Sequence, residues 1–171
     1  TGYQKIFDAV EKKFQVERWV LLALWGMESD FGSEKDRWDV FRSLATLAYV
    51  KYRDPYFRNE LIVAMRIMQD NRIAREKMVS SWAGAMGQTQ FMPSSYIKFA
   101  VDFDGNGRRD LLRSPPDVLA STANFLAGHG WQKGKDWEPG SANFAVIKEW
   151  NKSEVYARTI GYFATQLSRA P

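Results

Sequence analysis

Glu28 is the residue in this sequence whose type and surroundings are best suited to proton transfer. It follows the most apolar segment, residues 16–27, and the rings of Trp25 and Phe31 flank it along the chain. Burial in apolar surroundings and the negative end of a helix dipole both disfavour a charged carboxylate, so both raise its pKa. A general acid that works near neutral pH needs such a pKa. A surface glutamate that ends a helix and a glutamate paired with an arginine are the alternatives, and the residues alone leave all three open.

A second candidate is segment 80–95, SSWAGAMGQTQFMPSS, which is rich in small residues. Small residues allow the backbone to approach a ligand or another segment closely. Neutral polar side chains, including Ser81 and Gln90, are interleaved with the aromatic rings of Trp82 and Phe91. This mixture suits a carbohydrate, because hydroxyl groups need neutral hydrogen-bond partners and sugar rings pack on aromatic faces. A tight structural connector that leads into the next helix is the other interpretation, and composition alone slightly favours it.

Residues 102–110, DFDGNGRRD, fit the first half of an EF-hand calcium loop. That loop has oxygen ligands at positions 1, 3 and 5, glycine at 6, a backbone carbonyl at 7 and a further ligand at 9. The residues at the ligand positions are Asp102, Asp104, Asn106, Arg108 and Asp110. The bidentate glutamate of position 12 is missing because Arg113 stands there, although Asp117 follows and could compensate. We therefore expect a weak ion site, and the alternative is an Asp/Gly turn without an ion.

Composition excludes several other kinds of chemistry. The 171 residues include no cysteine, which rules out disulfides, a catalytic thiol and thiolate zinc sites. The one histidine, His129, rules out a multi-histidine metal centre, and we interpret it as a loop or core residue because no serine elbow motif accompanies it. The net charge of +4 comes from scattered basic residues, so it does not indicate nucleic acid. No segment approaches the ~20 apolar residues of a membrane span.

Hydrophobic periodicity predicts that helices position these candidate residues. The predicted helices cover about residues 6–14, 16–27, 41–51, 55–68, a short stretch from 93, 115–127, 142–150 and a last stretch from 154. Serines precede three of them as N-caps, at Ser114, Ser141 and Ser153. The chain is 45% hydrophobic and 26% charged, and it has no internal repeat or linker. We therefore predict one mainly α-helical domain over residues 1–171.

Taken together, these segments resemble the lytic murein transglycosylase B family over about residues 16–167. The resemblance rests on motifs that occur in order: WGMESDFG at 25–32, AGAMGQTQFMPSSY at 83–96, VDFDGNG at 101–107, ANFL at 123–126, HGW at 129–131 and WNKS at 150–153. One of these motifs alone is moderately specific, and the ordered set is highly specific. The resemblance implies a mainly α, lysozyme-like fold with an EF-hand-like helix-loop-helix at about residues 92–128.

The resemblance also implies an activity. Family members cleave the β-1,4 bond between N-acetylmuramic acid and N-acetylglucosamine in peptidoglycan without adding water. The muramyl 6-hydroxyl attacks C1 of its own sugar and leaves a 1,6-anhydro end. By this resemblance Glu28 protonates the leaving oxygen and then accepts the proton of the 6-hydroxyl. One carboxyl serves both steps, so the second carboxylate of the usual hydrolases is unnecessary.

The residues that line the substrate cleft are implied by the same resemblance: Ser81, Gln90, Phe91, Phe125, Trp150, Asn151 and Tyr156. Phe125 and Trp150 stand where other members often carry tyrosine, so a hydroxyl group is lost at Phe125. The EF-hand-like loop belongs to the family pattern, where its ion has a structural role. The resemblance therefore implies no cofactor for the chemistry and a weakly bound calcium or sodium ion.

Two other functions stay open: a lysozyme-type muramidase that uses water, and a non-catalytic murein-binding scaffold on the same fold. A second carboxylate across the cleft would favour the hydrolase, and none is identifiable in the sequence. The expected partners are peptidoglycan glycan strands and, as further candidates, other cell-wall enzymes; we expect a monomer and no nucleic acid. Family members act in the periplasm of Gram-negative bacteria, so we expect this location, with any signal sequence preceding Thr1.

Overall fold

Eight α-helices carry most of the residues that the computed structural model describes, namely residues 2–35, 37–70 and 73–170. They are α1 (Gln4–Phe14), α2 (Arg18–Ser29), α3 (Val40–Tyr49), α4 (Tyr56–Asp70), α5 (Pro93–Phe99), α6 (Pro115–Gly128), α7 (Ala142–Trp150) and α8 (Glu154–Arg169). A two-stranded antiparallel ladder joins β1 (Trp38–Asp39) to β2 (Val79–Ser80), with Trp38 opposite Ser80. The mainly α prediction is confirmed.

Helix α2 lies at the centre of the core because it is apolar around most of its circumference. It packs against α8 and α6, and side chains such as Leu21 and Leu24 are fully buried. The helix ends at Asp30 in the left-handed conformation (φ 47°), and the amide N–H of Asp30 donates to the carbonyl of Gly26 at 2.9 Å. Glu28 is therefore held in the last turn of a buried helix.

The predicted serine caps are confirmed at three helix starts. The hydroxyl of Ser114 accepts a hydrogen bond from the amide of Asp117, that of Ser141 from Phe144, and that of Ser153 from Tyr156. Each bond satisfies one of the backbone N–H groups that a helix leaves unpaired in its first turn. The caps fix where α6, α7 and α8 begin, and the cap at Ser153 places Tyr156 in the first turn of α8.

The described residues include no helix that is both long enough and apolar enough to cross a membrane.

Candidate active site

The carboxyl group of Glu28 is held by two hydrogen bonds from the far end of the sequence. The hydroxyl of Tyr156, in the first turn of α8, donates to its Oε1 atom. The indole Nε1 of Trp150, the last residue of α7, donates to the same oxygen at 3.3 Å. No ion pair of Glu28 occurs within the described residues, and the side chain is half-buried. Among the described residues, Glu28 therefore matches neither of the two alternatives, a surface glutamate or a glutamate paired with an arginine.

Burial raises the pKa of Glu28, and the hydrogen bonds from Tyr156 and Trp150 oppose that effect without cancelling it. Burial also raises the pKa of Tyr156, and the neighbouring Glu28 carboxylate raises it further. The phenol therefore stays protonated and acts only as a donor toward Glu28. The site combines a carboxyl whose pKa is raised by burial with a fixed orientation, and a general acid needs both.

Trp150 is itself held by aromatic packing from behind. Its ring centroid lies 4.8 Å from that of Phe125 and 5.3 Å from that of Phe91, both in edge-to-face geometry. Phe91 and Phe125 are only 2% and 7% exposed. Both rings therefore pack behind Trp150 and support it, and their direct contact with substrate stays a prediction.

The remaining predicted cleft residues occupy different positions around Glu28. Gln90 lines the same cleft as Glu28, and its side-chain Nε2 donates to the carbonyl of Gly87 at 3.0 Å. Ser81 closes a tight turn in which its hydroxyl accepts from the amide of Ala85 at 3.2 Å. Asn151 is exposed at the junction of α7 and α8. Direct contact of Gln90, Ser81 and Asn151 with a sugar stays a prediction.

The cleft beside Glu28 has a volume of about 490 Å³. Its other lining residues are Ser29, Gly32, Glu34, Lys35, Glu76, Lys77, Val79, Gly87, Gln88, Gln90, Leu112 and Arg113. Glu34 and Glu76 are exposed carboxylates in this lining that the sequence analysis did not identify. They are the residues to test if a hydrolase with a second carboxylate is considered.

Gln88 is a structural centre of the cleft, although the sequence analysis counts it only among the neutral polar side chains of segment 80–95. Its Oε1 accepts from the indole Nε1 of Trp25 at 2.7 Å, and its Nε2 donates to the carbonyl of Leu112 at 2.9 Å. A Cβ at Gly32 would lie 2.4 Å from the same Oε1, and Gly32 has φ 84°, so only glycine fits there. The small residues at 80–95 indicate close packing in general, but no local signal identifies this particular glutamine.

The predicted ion loop lies between α5 and α6 and contains an acidic cluster. One carboxylate oxygen each of Asp102, Asp104 and Asp117 lie within 4.8 Å of one another. Two oxygens on opposite sides of a calcium ion are about 4.6–5.2 Å apart, so this spacing fits that ion. The Oδ1 atom of Asp110 accepts from the amides of Leu112 and Arg113, and ligation of an ion by Asp110 stays a prediction.

Asp117, which the sequence analysis named as a possible substitute for the missing glutamate of position 12, lies beside Asp102 and Asp104. It is fully buried, and its two oxygens accept from the amides of Phe103 at 2.7 Å and Asp110 at 2.9 Å. Burial raises the pKa of this carboxyl. A bound cation would favour its charged form, so this donor set of hard oxygens fits calcium or sodium.

The fold and the site thus define a mainly helical protein with a half-buried, hydrogen-bonded carboxyl group in an open cleft. The sequence model of the transglycosylase SLT domain family matches residues 1–141, and the chain belongs to that family. It is 36% identical over 131 residues to membrane-bound lytic murein transglycosylase B of Escherichia coli (strain K12). That match covers 74% of this chain and 36% of the relative.

Solved structures of lytic transglycosylases have the same fold. SltB3 from Pseudomonas aeruginosa, solved in complex with NAG-anhNAM-pentapeptide, is similar with a TM-score of 0.92 and 31% identity, over 99% of this chain and 61% of SltB3. The Escherichia coli lytic transglycosylase SLT35, solved in complex with calcium, is similar with a TM-score of 0.88 and 25% identity, over 98% of this chain and 72% of SLT35. The resemblance and the predicted lysozyme-like fold are confirmed. The chain spans about a third of the curated relative.

Proposed function

We propose that this chain is the catalytic part of a peptidoglycan lytic transglycosylase, a lyase that cleaves the β-1,4 bond between N-acetylmuramic acid and N-acetylglucosamine. The observation that carries the proposal is the half-buried Glu28, whose pKa is raised by burial and whose orientation is fixed by Tyr156 and Trp150. The relatives support it, because SltB3 was solved with both NAG-anhNAM-pentapeptide and NAG-NAM-pentapeptide.

In the proposed mechanism Glu28 transfers one proton in each direction. Protonated Glu28 gives its proton to the glycosidic oxygen as the bond from C1 to that oxygen breaks. The carboxylate then accepts the proton of the muramyl 6-hydroxyl as its oxygen bonds to C1, so no water enters and the acid is regenerated. Both hydrogen bonds from the protein converge on Oε1, which leaves Oε2 as the atom that carries the transferred proton.

We propose that the glycan passes along the cleft over Gln90, Trp150, Asn151, Ser81 and Tyr156. Gln90 and Asn151 provide amide groups for sugar hydroxyls, and Ser81 provides a hydroxyl group. Trp150 is half-buried and offers its remaining face beside Glu28, while Phe91 and Phe125 keep the ring in place. In this assignment the two phenylalanines are positioning residues.

We propose that the loop between α5 and α6 is EF-hand-like and binds calcium, or more weakly sodium, with a structural role. Asp102, Asp104 and Asp117 would supply carboxylate oxygens, and Asn106 and the carbonyl of Arg108 would complete the set. The calcium complex of SLT35 supports this assignment. The ion would fix the loop and take no part in the chemistry.

The wider setting is proposed with the activity. We propose that residues 1–171 form one catalytic domain that acts as a monomer on peptidoglycan in the periplasm of a Gram-negative bacterium. The name of the Escherichia coli relative, a membrane-bound murein enzyme, supports a location in the cell envelope. Other cell-wall enzymes are candidate partners.

Mass spectrometry of the products from purified peptidoglycan tests the activity. The unaltered chain should release fragments that end in 1,6-anhydromuramic acid, and Glu28→Gln should release none. Glu34→Gln and Glu76→Gln are matched controls in the same cleft and should retain cleavage. Reducing-end products, heavier by one water, together with loss of cleavage in either control, would indicate a muramidase. Binding to peptidoglycan without any product would indicate a scaffold.

A further inference from the structure

Two tryptophans of this chain are exposed at one place in the fold. Trp38, in β1, is 58% exposed, and Trp82, two residues after β2, is 62% exposed. The other five tryptophans are buried or half-buried. The two exposed indoles form no hydrogen bond and no ring contact with any described residue. Exposure of an unpartnered indole at two neighbouring positions leaves a large apolar area in water, which is typical of a binding surface.

Both tryptophans lie on chain segments that come directly from the wall of the cleft. Lys35 lines the cleft and precedes Trp38 by three residues, and Val79 lines the cleft and precedes Trp82 by three residues. Three residues span at most about 11 Å. The ladder between β1 and β2 is antiparallel and pairs Trp38 with Ser80, two residues before Trp82. Both tryptophans therefore lie on paired segments that adjoin the cleft wall, each within three residues of a lining residue.

We propose that Trp38 and Trp82 form an accessory saccharide platform that binds sugars of the glycan strand outside the cleft. This inference rests on the proposed function, because it assigns the occupant as the same strand that Glu28 cleaves. An indole offers a flat apolar face for the C–H face of a sugar ring and one N–H donor for a hydroxyl, and both indoles have these groups free. We assign the glycan strand as the occupant, and not an unrelated partner, because the two tryptophans adjoin the cleft. A polymer held beside Glu28 must leave the cleft along its edge.

The platform predicts that affinity depends on strand length. Glu28→Gln serves as the parent, so that no substrate is cleaved during the measurement, and dissociation constants are measured for purified glycan strands and for a tetrasaccharide. We expect Trp38→Ala and Trp82→Ala each to weaken binding of the long strands about fivefold. The double variant should lose more than either, and the ratio of long-strand to tetrasaccharide affinity should fall accordingly.

Tyr162→Ala is the matched control, because Tyr162 is 69% exposed on α8 and is not adjacent to a cleft residue. It should leave the length dependence unchanged, and melting temperatures should show that all variants are folded. Unaltered long-strand affinity in the double variant would overturn the platform, as would an equal loss for tetrasaccharide and long strand.

The failure of the platform and the failure of the proposed function give different results. Anhydro products from the unaltered chain together with no effect of the tryptophan variants would overturn the platform and leave the activity standing. Absence of anhydro products together with loss of long-strand binding in the double variant would overturn the activity and support the platform.

Discussion

Replacement of Glu28 by glutamine should stabilise the folded protein at neutral pH while it removes the proposed activity. Burial raises the pKa of this carboxyl above its value in the unfolded chain. The folded state therefore binds more protons than the unfolded state between the two pKa values, so the free energy of unfolding falls as pH rises across that window. Above the folded pKa the full cost of the buried charge is present, and below the unfolded pKa it is absent.

The size of the effect follows from what glutamine retains. Its Oε1 can still accept from the hydroxyl of Tyr156 and from Nε1 of Trp150, so the substitution removes the charge and keeps both bonds. Stabilising substitutions in natural proteins commonly add about 0.5–2 kcal/mol each, and removal of a destabilised active-site group costs function. A gain of about 1 kcal/mol raises the melting temperature of a chain of this length by about 3 °C.

Thermal unfolding of both proteins between pH 4 and pH 8 measures this directly. The difference in melting temperature should be largest near pH 7 and should disappear below about pH 4, the usual pKa of a glutamate. Glu76→Gln, an exposed carboxyl in the same cleft, should show no such dependence. A lower melting temperature of Glu28→Gln at pH 7, or a gain that persists at pH 4, would refute the account of Glu28 as a buried, destabilised acid.

Three other substitutions test the support around the site. Tyr156→Phe removes a hydrogen bond that lowers the pKa of Glu28, so that pKa should rise further. The alkaline limb of the pH–rate profile should then move to higher pH, and kcat/KM should fall about tenfold or more. An unchanged profile would contradict this expectation. Gly32→Ala should lower the free energy of unfolding by about 1–3 kcal/mol more than Gly130→Ala, as measured by denaturant titration. Both glycines have positive φ, but of the two only position 32 has other atoms within 4 Å of an added Cβ. Asp117→Asn should abolish the rise in melting temperature that calcium produces, while Asp110→Asn should keep that rise. Equal melting temperatures of the unaltered chain in calcium and in chelator would refute the proposed ion site.

The position of Glu28 could be predicted from the sequence because its causes are local. An apolar run of helical length must be buried, so a carboxyl that directly follows it lies at the edge of the core. The serine caps are local for the same reason. These features need only neighbouring residues, and the structure agrees with each of them.

The depth of Phe91 and Phe125 could not be predicted in this way. A motif that resembles a family's cleft shows which residues are near the cleft, but the exposure of a ring depends on the residues packed over it. Here Trp150, from a different helix, covers both phenylalanines. By contrast, Asp117 could be named from the sequence as a substitute for the missing glutamate, but its burial and its bond to the amide of Phe103 depend on how α6 packs against the loop.

Gln88 links the ion loop to the helix that carries Glu28, and this link could not be predicted from the sequence. Its backbone N–H donates to the carbonyl of Leu111 at 2.8 Å and its side chain donates to the carbonyl of Leu112. These two residues follow Asp110, whose amide donates to Asp117. The same side chain accepts from Trp25, one turn before Glu28 in α2. A single amide thus connects the loop that the ion would fix to the helix that carries the acid. Each of its bonds requires a partner more than 20 residues away, so the arrangement exists only once α2 and the loop are already packed together.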